Sequence, residues 1–93
     1  MRTLPADVKK YHQSDLFNEK TVPDRLLKMH DTKANTWAVI CVQQGKLEYT
    51  ILESNQSYVL TPTKKGIVAP EQEHKIKPLG EVEFYIEFYS LVK

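Results

Sequence analysis

Hydrophobic and polar residues alternate along two stretches of this sequence. Between Lys46 and Leu52 every second residue is apolar, and from Val82 to Tyr89 an apolar face alternates with a mixed face of Glu and Tyr. A period of two places the apolar side chains of a β-strand on one face, because successive side chains point to opposite sides. Both stretches are therefore predicted to be strands, and the second is long enough to cross a small barrel.

A continuously apolar run, Trp37 to Val42, precedes the first alternating stretch. Its β-branched residues are typical of a strand that is covered on both faces. The turn residues Gln43-Gln44-Gly45 separate this run from the strand that follows. The sequence therefore predicts a β-hairpin that reverses direction around Gly45.

Shorter apolar segments fill the rest of the chain, each ending at Pro or Gly: Tyr58–Leu60, Gly66–Ala69 and His74–Lys77. Proline and glycine at such joints punctuate strands that are separated by turns. The segment Arg25 to His30 fits neither the helical nor the strand period cleanly, and we interpret it as a further strand. Residues 1–23 show no sustained periodicity and are predicted to form an irregular N-terminal arm.

Short strands with turn signals roughly every 8 to 12 residues, and no long helix, indicate an all-β fold. We expect a small cupin-like jelly-roll barrel or sandwich. The chain has 93 residues, which is enough for one domain with one core, covering residues 1–93.

Composition removes several classes of function. The formal net charge is +1 and the basic residues are scattered, so we expect no nucleic-acid partner. No stretch approaches the roughly 20 apolar residues of a membrane helix, and the N-terminus lacks the apolar region of a signal peptide. We therefore expect a cytoplasmic protein with no membrane partner.

Cys41 is the one cysteine, and its apolar surroundings predict a buried, inert thiol. The sequence contains no nucleophile elbow, Gly-rich phosphate loop, HExxH or CxxC motif. Hydrolase, kinase and nucleotide-binding functions therefore lose support.

The candidate chemistry centres on His74, which is in phase with the apolar Ile76 and is expected to face inward. Glu71 lies three residues earlier across a turn, so the two side chains could hold a divalent metal together. Alternatively, Glu71 accepts a hydrogen bond from nearby backbone N–H groups or from the ring of His74. His30 is a third candidate ligand, or else a solvated loop residue. Glu87, between aromatic residues, is expected to have a raised pKa if it is buried.

The chain resembles the TehB/YeaR-like family of small cupin-fold proteins, which are named for tellurite resistance. The resemblance covers nearly the whole chain and is carried by these pieces: Leu4-Pro5, Thr21-Val22-Pro23, Leu26-Leu27, His30, Thr32-Lys33, Trp37, Gly45-Lys46-Leu47, Tyr49, Pro70-Glu71, His74, Pro78-Leu79-Gly80 and residues 84–89. In this family the domain occurs alone or joined to a methyltransferase domain acting in tellurite detoxification. This chain is too short to include that domain and has no S-adenosylmethionine-binding motif, so methyl transfer is not predicted.

The chain departs from the general cupin pattern at several positions. Glu71 stands where a glycine is usual, Ala69 where a proline is usual, and Thr63 where the second motif has its early glycine. In place of the two histidines and the glutamate of the first motif, the chain offers only His30, with Ala38 near the glutamate position. The resemblance therefore implies at most a reduced metal site.

That reduced site would consist of His30, His74 and one carboxylate, either Glu71 or Glu87, and would bind zinc, nickel, manganese or iron. The leading hypothesis is a binding protein for such a metal or for a small anion or other small molecule, linked to tellurite or oxidative-stress resistance. A metal-dependent cupin enzyme of the oxygenase or isomerase type is an alternative, against which the depleted motif argues. The third hypothesis is a non-catalytic structural module that forms a homodimer through a strand edge or the aromatic face around Tyr85 and Tyr89.

Overall fold

The protein is seen in a computed structural model, which describes residues 1–28 and 31–91. The described elements are β1 Val8–Gln13, β2 Phe17–Asn18, α1 Asp24–Leu27, β3 Thr36–Ile51, β4 Gln56–Leu60, β5 Gly66–Val68 and β6 His74–Leu91. All strand pairs among them are antiparallel and belong to one sheet, which is not closed. The all-β prediction is confirmed. Over the same residues, no helix has the length and hydropathy needed to cross a membrane.

Two long strands, β3 and β6, form the spine of the sheet. They pair along their whole length, from Thr36 opposite Ser90 to Ile51 opposite His74. On the other side of β3, β5 pairs with residues 38–40 and β4 with residues 47–51. Strands β1 and β2 pair with the last part of β6. The shorter strands thus extend the spine at different points along it.

Two irregularities in β3, at Val42/Gln44 and at Gly45/Leu47, divide this spine into two parts. We call the first half-sheet the part made of β1, β2, β5, residues 36–42 of β3 and residues 83–91 of β6. The second half-sheet is made of β4, residues 47–51 of β3 and residues 74–78 of β6. Irregularities of this kind bend a strand, because the extra residue locally disrupts the ladder. The inner faces of the two halves meet, since the Tyr49 hydroxyl of the second half donates to the Ile67 carbonyl of β5 at 2.9 Å.

The predicted hairpin around Gly45 is wrong, because β3 continues through that residue. Gly45 has a φ of 83°, and a Cβ there would overlap the carbonyl oxygen of Glu81 on the neighbouring strand. The glycine therefore permits a bulge at which the two backbones approach closely. A bulge of this kind and a turn both require a residue that tolerates positive φ, so the sequence does not distinguish them. Likewise the two strands predicted on either side of Gly80 are both parts of β6.

The N-terminal region also differs from the prediction. Residues 1–23 contain β1 and β2, whereas an irregular arm was expected. Most residues of β1 are exposed on both sides, so the strand is held by its backbone pairing with β6 and carries no apolar alternation. The strand expected from Arg25 to His30 is also wrong at its start, which belongs to α1; Met29 and His30 lie outside the described residues.

The core lies on the inner face of the sheet. Leu47, Tyr49 and Leu60 in the second half-sheet expose none of their surface. In the first half-sheet every residue of 38–42 is buried, which confirms that this run is covered on both faces. Cys41 is buried as expected.

Candidate functional site

A cavity of about 370 Å³ lies against the inner face of the sheet. Its floor is apolar and is lined by Leu26, Ala38, Ile40, Val68, Ile76, Ile86 and Phe88. These side chains share one face because they are cross-strand neighbours: Ala38 is opposite both Val68 and Phe88, and Ile40 is opposite Ile86. The volume is near the lower end of the roughly 300–1,000 Å³ that is typical of small-molecule pockets.

The mouth of the cavity is polar. It is lined by Arg25 of α1, by Asp31, Thr32 and Lys33 of the segment before β3, and by Thr36, the first residue of β3. Thr32 is fixed there by its hydroxyl, which donates to the Ala69 carbonyl at 3.0 Å. An apolar floor with a few polar groups at one end is the arrangement that binds a small molecule and fixes its orientation.

Two consecutive residues of β1, Tyr11 and His12, also line the cavity. The pairing with β6 is irregular between Lys10 and His12, so Tyr11 is an extra residue without a direct partner. The His12 ring stacks on Phe88 with 5.6 Å between ring centroids and 28° between planes. Both aromatic rings therefore border the same space.

His74 faces the cavity, as predicted from its phase with Ile76. It is buried, with 3% of its surface exposed, and its Nδ1 lies 2.7 Å from the Gln72 carbonyl oxygen. A carbonyl can only accept, so Nδ1 carries a proton. The ring also meets Tyr49 edge-on, with centroids 5.8 Å apart. These contacts hold the imidazole in a fixed orientation.

Glu71 is exposed and is not among the residues that line the cavity. Its φ is 59°, which lies in the left-handed region that glycine adopts without strain. This conformation explains why the general cupin pattern has a glycine at this position. Its backbone N–H points to the Thr32 carbonyl and hydroxyl oxygens, at 3.1 and 3.2 Å. The turn is thus held by the backbone of Glu71.

Glu87 lies on the opposite face of β6 from the cavity, because its neighbours Ile86 and Phe88 line that cavity. Its carboxylate forms a 2.9 Å salt bridge with Lys10 and accepts hydrogen bonds from the Tyr89 hydroxyl at 3.2 Å and the Cys41 thiol at 3.6 Å. Burial by itself would raise the pKa of Glu87, but Lys10, Tyr89 and Cys41 outweigh it and hold the pKa below its ordinary value. The raised pKa expected on burial is therefore not observed.

Burial and the nearby Glu87 charge raise the pKa of the Cys41 thiol, which makes it less reactive.

The predicted ligands are thus not gathered at one point. His74 lines the cavity, Glu87 faces the other side of the sheet, Glu71 is in an exposed turn, and His30 lies outside the described residues. Within residues 1–28 and 31–91, no group of three His, Cys, Asp or Glu side chains could hold a metal ion.

The sequence reasoning missed Tyr11, Arg25 and Lys33, which line the cavity. They come from segments without hydrophobic periodicity, and the irregularity at Tyr11 reverses the alternation on which such reasoning relies. The basic residues on either side of His30 were the only signal that could have pointed to the mouth of the cavity.

The fold and the cavity define a small all-β domain with an apolar pocket of about 370 Å³. A family model described as the TehB-like domain matches residues 4–86, and the chain belongs to this family. It is 27% identical over 85 residues to the probable S-adenosyl-L-methionine-dependent methyltransferase TehB of Haemophilus influenzae. That match covers 85% of this chain and 30% of TehB, so the chain spans less than a third of its curated relative.

Solved structures show the same fold. The crystal structure of TehB from Haemophilus influenzae superposes with a TM-score of 0.83 and 24% identity, covering 92% of this chain and 32% of that one. A protein from Escherichia coli strain K12 superposes with a TM-score of 0.89 and 17% identity, and the match covers both chains completely. The fold is therefore found both as part of a longer chain and as an entire solved chain.

These findings correct the predicted function. The expectation of a cupin that holds a divalent metal or small anion, with its alternatives of a metal-dependent cupin enzyme or a purely structural module, is wrong. The relative is named a methyltransferase that depends on S-adenosylmethionine, and the described residues contain no cluster of metal ligands. The prediction of zinc, nickel, manganese or iron as a cofactor is therefore wrong. The prediction of a metal-binding cupin is wrong for the same reason.

The described residues lack the nucleotide-cofactor site that is typical of open α/β sheets. In open α/β sheets nucleotide-containing cofactors bind beyond the carboxyl ends of parallel strands, beside a glycine-rich turn. The strand pairs described in this chain are antiparallel, and none of its three glycines lines the cavity. The described residues therefore do not offer S-adenosylmethionine a parallel-strand, glycine-rich site of that kind.

Proposed function

We propose that this TehB-like domain serves S-adenosylmethionine-dependent methyl transfer as a binding domain for a small organic molecule, while the transfer of the methyl group takes place on a different domain. The observation that carries the proposal is the cavity of about 370 Å³ with an apolar floor and a polar mouth, in a domain that matches only 30% of TehB. The bound molecule is the methyl acceptor or a group attached to it.

Burial of the ligand against the floor supplies the affinity in this proposal. Transfer of apolar surface out of water is favourable by about 25 cal/mol per Å², and the floor is made almost wholly of aliphatic and aromatic side chains. The polar groups at the mouth supply orientation, together with the buried His74 ring that also lines the cavity. All floor residues except Leu26 of α1 belong to paired strands, so most of the floor is formed before the ligand arrives.

The proposal is tested with a neutral fluorescent probe, N-phenyl-1-naphthylamine, added to the purified chain. We expect saturable binding with one site per chain, lost on Ala38→Phe because a phenyl group at the floor occupies the cavity. The matched control is Ala34→Phe, the same change at an exposed position. Thr36→Trp at the mouth is a second blocking variant, should Ala38→Phe fail to fold by circular dichroism. Binding that neither blocking variant reduces would refute a function for the cavity.

The link to methyl transfer needs a separate experiment. This chain replaces the matching part of Haemophilus influenzae TehB, and methyl transfer is measured with and without Ala38→Phe. We expect the variant to raise KM for the methyl acceptor and to leave KM for S-adenosylmethionine unchanged. An equal effect on both substrates would show that the domain acts only through folding. Isothermal titration of the isolated chain with S-adenosylmethionine is expected to give no binding.

A further inference from the structure

The irregularity in β1 determines which side chains border the cavity. In a regular strand, adjacent side chains point to opposite faces, so only one of Tyr11 and His12 could line the cavity. Both line it, because Tyr11 is inserted between Lys10, which pairs with Tyr89, and His12, which pairs with Phe88. Bulges are common at the rims of β-structures and beside binding sites, where they redirect a side chain. Here the bulge adds a second ring to the mouth.

These rings offer flat surfaces to an occupant. His12 stacks on Phe88, and Tyr11 is 59% exposed although it borders the cavity. A large aromatic side chain exposed at the mouth of an apolar cavity gains contact area when a planar molecule enters. Offset or tilted packing of aromatic rings contributes about 0.5–1.5 kcal/mol beyond the burial of their area. The mouth is therefore better suited to an aromatic ring than to a saturated one.

The charge at the mouth is positive. Arg25 and Lys33 both line the cavity, and Asp31 offsets one of these two charges. The described part of the chain gives neither Arg25 nor Lys33 an ion-pair partner. Guanidinium and ammonium groups form strong charge-assisted hydrogen bonds with carboxylates, and the guanidinium can do so with two parallel bonds. An anionic group at the mouth would be stabilised, while a cation would be repelled.

We infer that the cavity takes a planar aromatic molecule carrying one anionic group, with the ring on the apolar floor beside Tyr11 and His12 and the anionic group at Arg25 and Lys33. This inference rests on the proposed function of the cavity and names the class of its ligand. Tyr11 is in this view a specificity-determining residue that the bulge presents to the ligand.

The test compares three ligands of similar size by isothermal titration: naphthalene-1-carboxylate, 1-naphthylmethylamine and decahydronaphthalene-1-carboxylate. We expect the aromatic anion to bind about tenfold more tightly than the aromatic cation, as loss of a charge-assisted hydrogen bond implies. The saturated anion should bind at least about threefold more weakly than the aromatic anion.

Variants assign each preference to its residues. The double substitution Arg25→Gln with Lys33→Gln should remove the preference for the anion, and Tyr11→Leu should remove the preference for the aromatic ring. Lys46→Gln is the matched control, since Lys46 is exposed on β3 and does not line the cavity. It should leave all three affinities unchanged.

The outcomes separate this inference from the proposed function. Equal binding of the aromatic anion and the aromatic cation, abolished by Ala38→Phe, would overturn the ligand class and keep the cavity as a binding site. Binding of none of the three, together with a neutral probe that is insensitive to Ala38→Phe, would overturn both. Preferences that survive in the Arg25, Lys33 and Tyr11 variants would overturn the roles of these residues.

Discussion

The two half-sheets share the strands β3 and β6, yet their inner faces are filled differently. In the second half-sheet Leu47, Tyr49 and Leu60 pack without exposed surface, and none of them lines the cavity. In the first half-sheet the inward positions include Ala38, the smallest of the floor side chains, and the neighbouring strand β5 is only three residues long. Space remains where the small side chain and the short strand meet.

The difference shows how one pair of strands can supply both stability and a binding site. The phenol ring of Tyr49 is fully buried in the second half, while the methyl group at Ala38 leaves space in the first half; His74 and Ile76 of the second half also border that space. Protein interiors are packed as densely as organic crystals, so this open apolar cleft lies where that packing stops and a small molecule can enter. The bend at Gly45 separates the two regions along the chain.

The largest expected effect comes from Gly45→Ala, which breaks the bend between the half-sheets. The new methyl group would combine a strained positive φ with overlap on the Glu81 carbonyl, and backbone is costly to move. We expect a loss of about 3 kcal/mol or more in the free energy of unfolding, measured by urea denaturation.

Gly80→Ala is the matched control for that substitution. Its φ is 95°, but a Cβ there would meet nothing within 4 Å, so only the conformational strain remains. A loss of about 1–2 kcal/mol is expected. Equal losses for the two variants would show that the close approach at Gly45 is unimportant for the bend.

Truncations of equal size should distinguish the two half-sheets next. Ile51→Ala removes a buried side chain that does not line the cavity, and the new void should cost about 3–4 kcal/mol. Ile40→Ala enlarges a space that already exists, so fewer contacts are lost and about 2 kcal/mol is expected. A larger loss for Ile40→Ala, in the same chemical denaturation experiment, would contradict the view that the first half is loosely filled.

Tyr49→Phe tests the contact between the half-sheets. The hydroxyl group donates to the Ile67 carbonyl, and burial raises the pKa of Tyr49, consistent with a neutral donor at any physiological pH. Removing it leaves that carbonyl without its partner and should lower the free energy of unfolding by about 1–2 kcal/mol. A thermal unfolding curve identical to that of the parent protein would exclude a role for this hydrogen bond in joining the halves.

The smallest expected effect concerns the outer face of the first half-sheet. Because Lys10 holds the pKa of Glu87 below its ordinary 4.5, the folded state is stabilised above that pH, and the stabilisation is lost as the pH falls through the lowered value. The parent protein should therefore exceed Glu87→Gln in stability near neutral pH, with the difference shrinking below about pH 4.5. Lys10→Gln should flatten the same pH profile. A difference that is independent of pH would rule out the salt bridge as its cause.

The elements that could be predicted from the sequence are those whose burial is one-sided or complete. The alternation around Tyr49 and along residues 82–89, and the apolar run before Gly45, predicted parts of β3 and β6, and the phase of His74 with Ile76 predicted its inward direction. Strand β1 could not be found in this way, since its side chains are mostly exposed and its position depends on backbone bonds to a distant strand. Gly45 was misassigned because a turn and a bulge both require a residue that tolerates positive φ.

The candidate site was less predictable than the fold. The sequence singled out histidines and carboxylates, but Glu87 and His74 lie on opposite faces of β6, because His74 is in phase with Ile86 and Glu87 is not. The residues at the mouth come from β1, α1, the segment before β3 and the start of β3, which only the folded chain brings together. A bulge, moreover, has no hydrophobic pattern of its own, so the placement of Tyr11 could not be foreseen.

The full-length pairing of β3 with β6 has a consequence for how the protein reaches its native state. The partners nearest in sequence, Ile51 and His74, are separated by β4 and β5, and Thr36 must find Ser90 almost at the other end of the chain. Loop-closure entropy must be overcome before such distant contacts become favourable, and domains dominated by them refold in roughly milliseconds to seconds. The spine that holds the cavity open is therefore also what should make this small domain a slow folder for its length.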